Sequence, residues 1–518
     1  LTEAGIENKN YSGHSLRSGF ATVSAESGAD ERSIMAMTGH KTTQMVRRYI
    51  KEANLFKNNA LNKIKIWKIK RFNNLMKISV IGLGKLGLPF AFFLASHGNK
   101  ILCYDKNKKI LDSIEKKRSP FVEPYLEKYI KKYRKNVEIY ERLDDLINKT
   151  NVTFLVLPTP SQKDGSFSNQ YILNVLKKIG KSLKNKRNKK HLINITSTLS
   201  PYSCEKIFIP FLEKYNLKNE KDFLISYNPH FIAQGTTIYN LNNPDILLIG
   251  TNSSKAKEIL INIYKKIYSK RNVFKILNLL ESEITKLSIN TFITNKISFA
   301  NYISELSENS ENTNASKILD VIGQDKRIGH AYMKVGTRFS GPCFPRDNKA
   351  LANFASKIGI TNDLPRVVDK INNRQTLRLI KIIKYLKGKF KKRINIGILG
   401  LSYKKDTDII YDSQSYDLIS KLSLSKIGIS NIFVFDRFIK DFSIYKNNNL
   451  VSINKKLFDT VKYSDILFIM YKDNYFLKLK YIKPKKTKII VDCWGLFDHI
   501  QKPFKIYNFG VNYKINNV

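Results

Sequence analysis

The residues best suited to covalent chemistry lie in "FSGPCFPRDN" (339–348), which holds one of only four cysteines in the chain. Prolines restrict the backbone on both sides of Cys343, and Arg346 and Asp347 follow within one turn. Nearby charges of that kind can tune a thiolate, the form of cysteine that attacks carbonyl carbon. A loop cysteine without chemistry fits the same ten residues. A second set is Glu283, Lys286 and Asn290, which fall at i, i+3 and i+7 of a helical pattern over 277–308. Carboxylate, ammonium and amide then share one helix face, either as an ordinary surface pair or as the polar wall of a pocket. The flanking Leu287, Ile289, Phe292 and Ile293 point to a pocket between domains.

A third set binds rather than reacts. In "MKISVIGLGKLGLPFAFFLASHGNKILCYDKN" (76–107) an apolar strand runs into a glycine-rich turn and then a helix. Gly82, Gly84 and Gly87 form G-x-G-x-x-G: the first glycine permits the tight turn, the second lets backbone approach a pyrophosphate, and the third allows close helix–strand packing. The helix N-terminus offers N–H donors to the phosphates. The next strand ends in Asp105, whose carboxylate would accept from both ribose hydroxyls and repel a 2′-phosphate, so NAD is favoured over NADP. A later apolar strand ends in Pro158-Thr159-Pro160, where a ligand-facing loop should emerge.

These sites need a large scaffold. The 518 residues suffice for three or four domains, and 42% hydrophobic content supports packed cores. No apolar run approaches the roughly 18 residues that a membrane span needs, and no secretory signal is expected. Cys103, Cys204, Cys343 and Cys493 show no CxxC spacing, which argues against a disulfide framework and a zinc site and fits a cytoplasmic protein. The net charge of +47 invites a nucleic-acid reading. The lysines are spread along the chain, however, and no aromatics interleave with the densest run, "KKIGKSLKNKRNKK", as a single-strand platform requires. A solvated, compositionally biased surface is the expectation.

Residues 1–57 read differently. His14 and Arg17 open a helix-like segment, Gly39-His40 comes next, and Tyr49 lies beyond it. This set resembles the C-terminal end of tyrosine recombinases (phage-type integrases). The resemblance implies Tyr49 as nucleophile on a DNA phosphodiester, with His14, Arg17 and His40 as the phosphate clamp. It covers only the last portion of such a domain, so a remnant without functional DNA binding is expected. Residues 58–75 read as a basic junction, with Met76 as the natural start of the larger region beyond it.

From Met76 onward the chain resembles the UDP-glucose 6-dehydrogenase and GDP-mannose 6-dehydrogenase family of nucleotide-sugar dehydrogenases. The matching stretches run in order: "GLGKLG", "PFVEPYLEKYI", "LPTPS", "NITSTLSP", "YNPHFIAQGTTIYNLNNPDILLIG", "ESEITKLSIN", "DKRIGHAYMKVGTRFSGPCFPRDNKAL", "GILGLSYKKDTD" and "VFDRF". The resemblance implies an α/β fold. Two Rossmann-like doubly wound domains are joined by a long central helix that also forms a homodimer, preceded here by the short α-helical recombinase-like fragment. The corresponding boundaries are 76–275 for the NAD-binding domain, 276–388 for the central helical domain with the cysteine loop, and 389–518 for the UDP-sugar-binding domain.

The resemblance also implies roles. Cys343 attacks the C6 aldehyde formed by a first hydride transfer to NAD, the thiohemiacetal gives a second hydride, and the thioester is hydrolysed. Lys286 stabilises the oxyanions, Asn290 hydrogen-bonds the same oxygen or a water, Asp347 orients Lys286 or the hydrolytic water, and Thr159 positions that water. Lys85, Leu86, Thr159 and Arg346 join Gly82, Gly84, Gly87 and Asp105 at the cofactor. Gln234, Phe339 and Lys404 contact substrate, and Arg327 reaches the substrate of a partner subunit.

Three departures stand out. His230 and Gln234 replace two glutamates of the family pattern, and His230 could act as the hydrolytic base because neutral imidazole is competent near pH 7. Arg338 and Ser340 interrupt a Gly-Phe-Gly-Gly run, which puts Arg338 in an allowed conformation or at a cost on the order of 1 kcal/mol. Tyr411 replaces an arginine near the cofactor. The leading reading is UDP-glucose oxidation to UDP-glucuronate with two NAD. GDP-mannose or a UDP-N-acetyl sugar as substrate, a catalytically impaired nucleotide-sugar-binding homologue and, remotely, a DNA recombinase fragment are the alternatives.

Overall fold

A computed structural model describes residues 20–21, 23–24, 29–39, 43 and 76–512, apart from 187–189, 269–272, 362 and 498–499. The chain divides into two compact units, Leu1–Leu75 and Met76–Val518. In the first unit, helix α1 (Glu31–Thr38) starts at Asp30, whose carboxylate accepts from the backbone N–H groups of Arg32 and Ser33 at 3.0 and 3.1 Å. It stops at Gly39 with φ +67°, a left-handed cap that suits glycine. His14, Arg17, His40 and Tyr49 lie outside the described residues.

The second unit carries two sheets. The first holds β1 (Ile78–Ile81), β2 (Ile101–Tyr104), β3 (Val137–Ile139), β4 (Val152–Leu155), β5 (His191–Ile195), β6 (Phe223–Tyr227), β7 (Leu247–Gly250) and β8 (Phe274–Leu277). Their order is β3-β2-β1-β4-β5-β6-β7-β8, parallel except where Tyr227 of β6 meets Gly250 of β7. Every residue of β1, β4, β5 and β6 is buried, so these strands are mostly apolar without a polar face, and their polar members Ser79, Thr153, His191, Asn194 and Ser226 are buried as well. The second sheet holds β9 (Ile394–Leu399), β10 (Ile429–Phe435), β11 (Val451–Ile453), β12 (Ile466–Ile469), β13 (Lys488–Asp492) and β14 (Phe504–Asn508), all parallel in the order β11-β10-β9-β12-β13-β14. Both sheets reverse direction of growth beside their first strand, the switch point where open α/β sheets leave a ligand crevice.

Helix α2 (Gly87–Ser96) follows β1 and is buried from Gly87 to Ala95. Between the sheets runs α3 (Leu279–Asn309), a 31-residue helix started by a capping box in which Asn278 and Glu281 satisfy each other's backbone N–H groups. Helices α4 (Phe344–Lys357) and α5 (Asp363–Lys387) pack along it. A buried ion pair of Arg378 and Glu308, 2.6 Å apart, joins α5 to α3, and Glu308 also accepts from the Gly510 N–H at 2.9 Å. The end of the second sheet is thereby fastened to the central helix.

Candidate active site

The two walls of one cleft of about 1130 Å³ come from the first sheet and from the α3–α4 region, with the loop after β9 lining it as well. At the nucleotide end the glycines divide their work. A Cβ on Gly82, where φ is +92°, would stand 2.2 Å from the Val156 carbonyl oxygen, and one on Gly87 would stand 1.8 Å from that of Gly82. Gly84 has nothing within 4 Å in that direction, so backbone there is open to a phosphate group. Asp105 accepts from the Leu83 N–H at 2.6 Å and the Asn107 N–H at 2.7 Å, which fixes its carboxylate at the end of β2. Lys85, Leu86 and Thr159 line the same space, as do Tyr171, Asn174 and Lys178 from one helix face. An open glycine, a helix N-terminus and a fixed carboxylate fit the pyrophosphate and ribose of NAD.

At the other end α3 grips three separate chain segments with one stripe of residues. Glu283, fully buried, accepts from the Tyr202 N–H at 2.7 Å and the Cys204 N–H at 2.9 Å, where a π-helical turn (Ser203–Phe208) begins. Burial raises its carboxyl to about 7. Lys286 donates to the His230 carbonyl at 3.1 Å and stands 4.6 Å from the Phe231 ring centroid. Asn290 donates to Asp347 at 2.5 Å. The sequence pattern is thus correct that these three share a face, but only Lys286 and Asn290 line the cleft; Glu283 is turned into the protein behind it. Ile289 and Ile293 flank them in the cleft, Leu287 is buried, and Phe292 points out with 63% exposure rather than lining the pocket.

Cys343 is the N-cap residue of α4 and opens to the cleft. Burial and then the Asp347 carboxylate push its thiol up, against the pull of Lys286, Arg346 and Lys404. Cys103, Cys204 and Cys493 are buried. Asp347 is itself raised by burial, opposed by Lys286, Asn290 and Arg346. Arg346 donates to the Thr159 carbonyl and, at 3.1 Å, to Ser161, with its guanidinium 4.8 Å from the Phe167 ring. It ties the Pro158–Pro160 loop to the cysteine helix. Thr159 donates its hydroxyl to the Thr198 carbonyl at 2.9 Å.

Two cleft residues carry buried polar atoms without a hydrogen-bond partner among the described residues: Nε2 of His230 and Oε1 of Gln234. The His230 ring packs 4.7 Å from Phe90, and burial together with Lys286 lowers it to about 3. So weak a base has little driving force to take a proton from water near neutrality, which works against the role expected of it from an ordinary imidazole. Glu123, which the sequence pattern left without a role, accepts from the Gly235 N–H, the Thr237 N–H and the Thr237 hydroxyl at 2.9, 2.8 and 2.9 Å. It pins the turn after Gln234. A lone carboxylate inside "PFVEPY" was the available signal.

Lys404 lines the cleft, its ammonium lowered by burial against Glu123, Asp406 and Cys343. Tyr403 lies against Gly341, where φ is +86° and a Cβ would meet the ring at 2.5 Å. Phe339, Arg327 and Tyr411 are not among the cleft-lining residues. Phe339 is buried and outside the cleft, its backbone N–H and carbonyl both held by Asn372 at 2.9 Å. Arg327 is 88% exposed and paired with Asp325 at 2.6 Å. Tyr411 is 67% exposed and lies outside the cleft lining. Arg338 avoids the left-handed region; its backbone N–H donates to Gln414 at 2.7 Å and its buried guanidinium pairs with Asp412 at 3.1 Å. Among the described residues no cluster could hold a metal ion and no helix is long and apolar enough to cross a membrane.

Against known proteins, residues 76–268, 280–374 and 397–499 match the NAD-binding, central and UDP-binding domains of the UDP-glucose/GDP-mannose dehydrogenase family, and residues 1–55 match the phage integrase family. The UDP-glucose 6-dehydrogenase of Rickettsia typhi is 30% identical over 356 residues, 67% of this chain and 78% of that one. The GDP-mannose 6-dehydrogenase of Pseudomonas aeruginosa is 26% identical over 442 residues, 82% of this chain and 98% of that one. In fold the chain is similar to the UDP-glucose dehydrogenase of Pyrobaculum islandicum, with a TM-score of 0.76 at 23% identity over 85% of this chain and 99% of that one.

Proposed function

The chain belongs to the UDP-glucose/GDP-mannose dehydrogenase family, and on that premise we propose that it oxidises C6 of UDP-glucose to UDP-glucuronate with two NAD. The observation that carries the reading is the convergence, in one cleft, of an accessible cysteine, a glycine-rich nucleotide turn and three cations (Lys286, Arg346 and Lys404) that pull on the same thiol. The name of the Rickettsia relative supports UDP-glucose; GDP-mannose, as in the Pseudomonas relative, and UDP-N-acetyl sugars are the alternatives.

NAD, when bound, accepts the two hydrides. The remaining chemistry belongs to the chain's own side chains. Oxidation of the C6 alcohol releases a proton, for which the raised carboxyl of Asp347 is a better acceptor than an ordinary aspartate. The Cys343 thiol loses its proton to water in the cleft, its sulfur adds to the aldehyde carbon, and the Lys286 ammonium and Asn290 amide face the negative oxygen that results. Asp347 holds the Asn290 amide for that task. The second hydride leaves a thioester, which water cleaves to carboxylate and free thiol, with Thr159 beside the reacting carbon. Lys404 meets the substrate from the loop after β9, and Gln234 contacts it from the opposite wall.

Exposed Phe292, Phe299 and Leu306 recur every seven residues along α3, which supports a homodimer through that helix, where exposed Arg327 would exchange its pairing with Asp325 for the partner's substrate. We assign the protein to the cytoplasm and give residues 1–55 no DNA strand-exchange activity. Failure to trap Tyr49 covalently on DNA is the expected outcome.

NADH release from purified protein with UDP-glucose and excess NAD, beside Cys343→Ala and a panel of other nucleotide sugars, tests the reading. Sustained release of two NADH per sugar is expected. Silence with every sugar, despite measured NAD binding, refutes it. One observation favours a second reading, a homologue that forms the thioester and hydrolyses it poorly: neither weakly basic His230 nor Gln234 supplies a base. A burst of NADH followed by a stall is its signature.

A further inference from the structure

Lys85 follows Gly84 in the glycine-rich turn, where backbone is open to a phosphate group. Its ammonium does not turn back onto the first sheet. It pairs with Asp408, in the loop after β9 of the second sheet, with the two side chains 33% and 30% exposed. The same loop carries Tyr403 and Lys404 into the cleft, and its Asp406 carbonyl lies 2.7 Å from where a Cβ on Gly235 would be. The opposite wall therefore reaches the nucleotide turn through this ion pair.

A pyrophosphate docking beside Gly84 meets a cation that is already neutralised and a carboxylate of its own sign. We propose that the Lys85–Asp408 ion pair is exchangeable: the cofactor's pyrophosphate takes over the Lys85 ammonium, so that Asp408, a residue of the distant sheet, sets the affinity of the nucleotide site. This rests on the NAD reading above. The exchange is favourable because a lysine–carboxylate pair one-third exposed contributes little, whereas a phosphate offers several charged oxygens to the same ammonium. The carboxylate that Lys85 pairs with is Asp408, whereas Asp105 accepts from the Leu83 and Asn107 N–H groups.

The test titrates NAD, without sugar, into the full chain by calorimetry. Asp408→Asn removes both the competitor and the repulsion and should tighten NAD by roughly three- to tenfold. Lys85→Met should weaken it by roughly tenfold, and in that background Asp408→Asn should yield a clearly smaller gain. Asp408→Ser and Lys85→Gln replace either variant that misfolds. An Asp408 variant that binds NAD as wild type or more weakly overturns the proposal, as does full affinity in the Lys85 variant. Wild-type protein that takes no NAD overturns the cofactor reading and this proposal with it, whereas wild-type binding with an insensitive Asp408 refutes the exchange alone.

Discussion

Asp347→Asn should make Cys343 more acidic. Asp347 lies one helical turn beyond Cys343, its backbone N–H donating to the Cys343 carbonyl at 2.9 Å, so the two Cβ atoms stand about 6 Å apart. At an effective dielectric near 20, unit charges at that spacing interact by about 3 kcal/mol. The thiol opens to the cleft, and screening by water there reduces the effect to about 1 to 1.5 kcal/mol, or roughly one pK unit. An asparagine oxygen can still accept from Asn290, so the geometry survives. The assay is iodoacetamide alkylation across pH, with Cys343→Ala as background; the other cysteines are buried. The midpoint should fall by about one unit. The rate well below the midpoint should rise only about threefold, because a more acidic thiol is a weaker nucleophile. A midpoint that stays put or rises refutes the electrostatic account of this site.

Three further outcomes are expected from the same geometry. His230→Glu should raise steady-state turnover relative to the first burst of NADH, by roughly tenfold or more if base catalysis limits hydrolysis; an unchanged ratio of burst to steady rate excludes residue 230 from that step. Asp412→Ala removes the carboxylate from the buried Arg338 guanidinium, which keeps only the residue 412 carbonyl at 3.2 Å, and should cost about 3 kcal/mol in urea unfolding, whereas a loss below about 1 kcal/mol would mean the pair contributes little. Buried His191 and half-buried His230 both sit at about 3 in the folded chain against an ordinary 6.5. The unfolded chain therefore binds more protons below about 6.5, so each contributes stability that is present above that pH and lost as pH falls towards 3. Between pH 7 and 5 the loss is about 2 kcal/mol per histidine, and His191→Gln should flatten the slope of urea stability against pH. An unchanged slope would sink that assignment.

Much of the fold and part of the site were legible in the residues themselves. G-x-G-x-x-G after a strand, with an acid ending the next strand, specifies a nucleotide turn because each glycine answers a local steric demand, and the strands of a doubly covered sheet announce themselves as apolar runs. Helical spacing placed Glu283, Lys286 and Asn290 on one face for the same local reason. Spacing could not say which way that face is turned at each level. Glu283 binds backbone N–H groups behind the cleft while Lys286 and Asn290 face into it, since that depends on which segments pack against each turn of α3.

The sequence by itself determined the two nucleotide-type sheets, the long central helix and the identity of the groups that can react, because turns, periodicity and side-chain chemistry are local properties. The tertiary structure decided what those groups are able to do. His230 has the composition of a base and is held neutral by burial and by Lys286. Arg338 occupies a glycine position of the family without left-handed strain, because Asp412 and Gln414 receive it. Lys85 looks like a phosphate ligand and is paired with Asp408 of the loop after β9. Charge, desolvation and partnership arise from residues brought together from distant parts of the chain, and no window of sequence contains them.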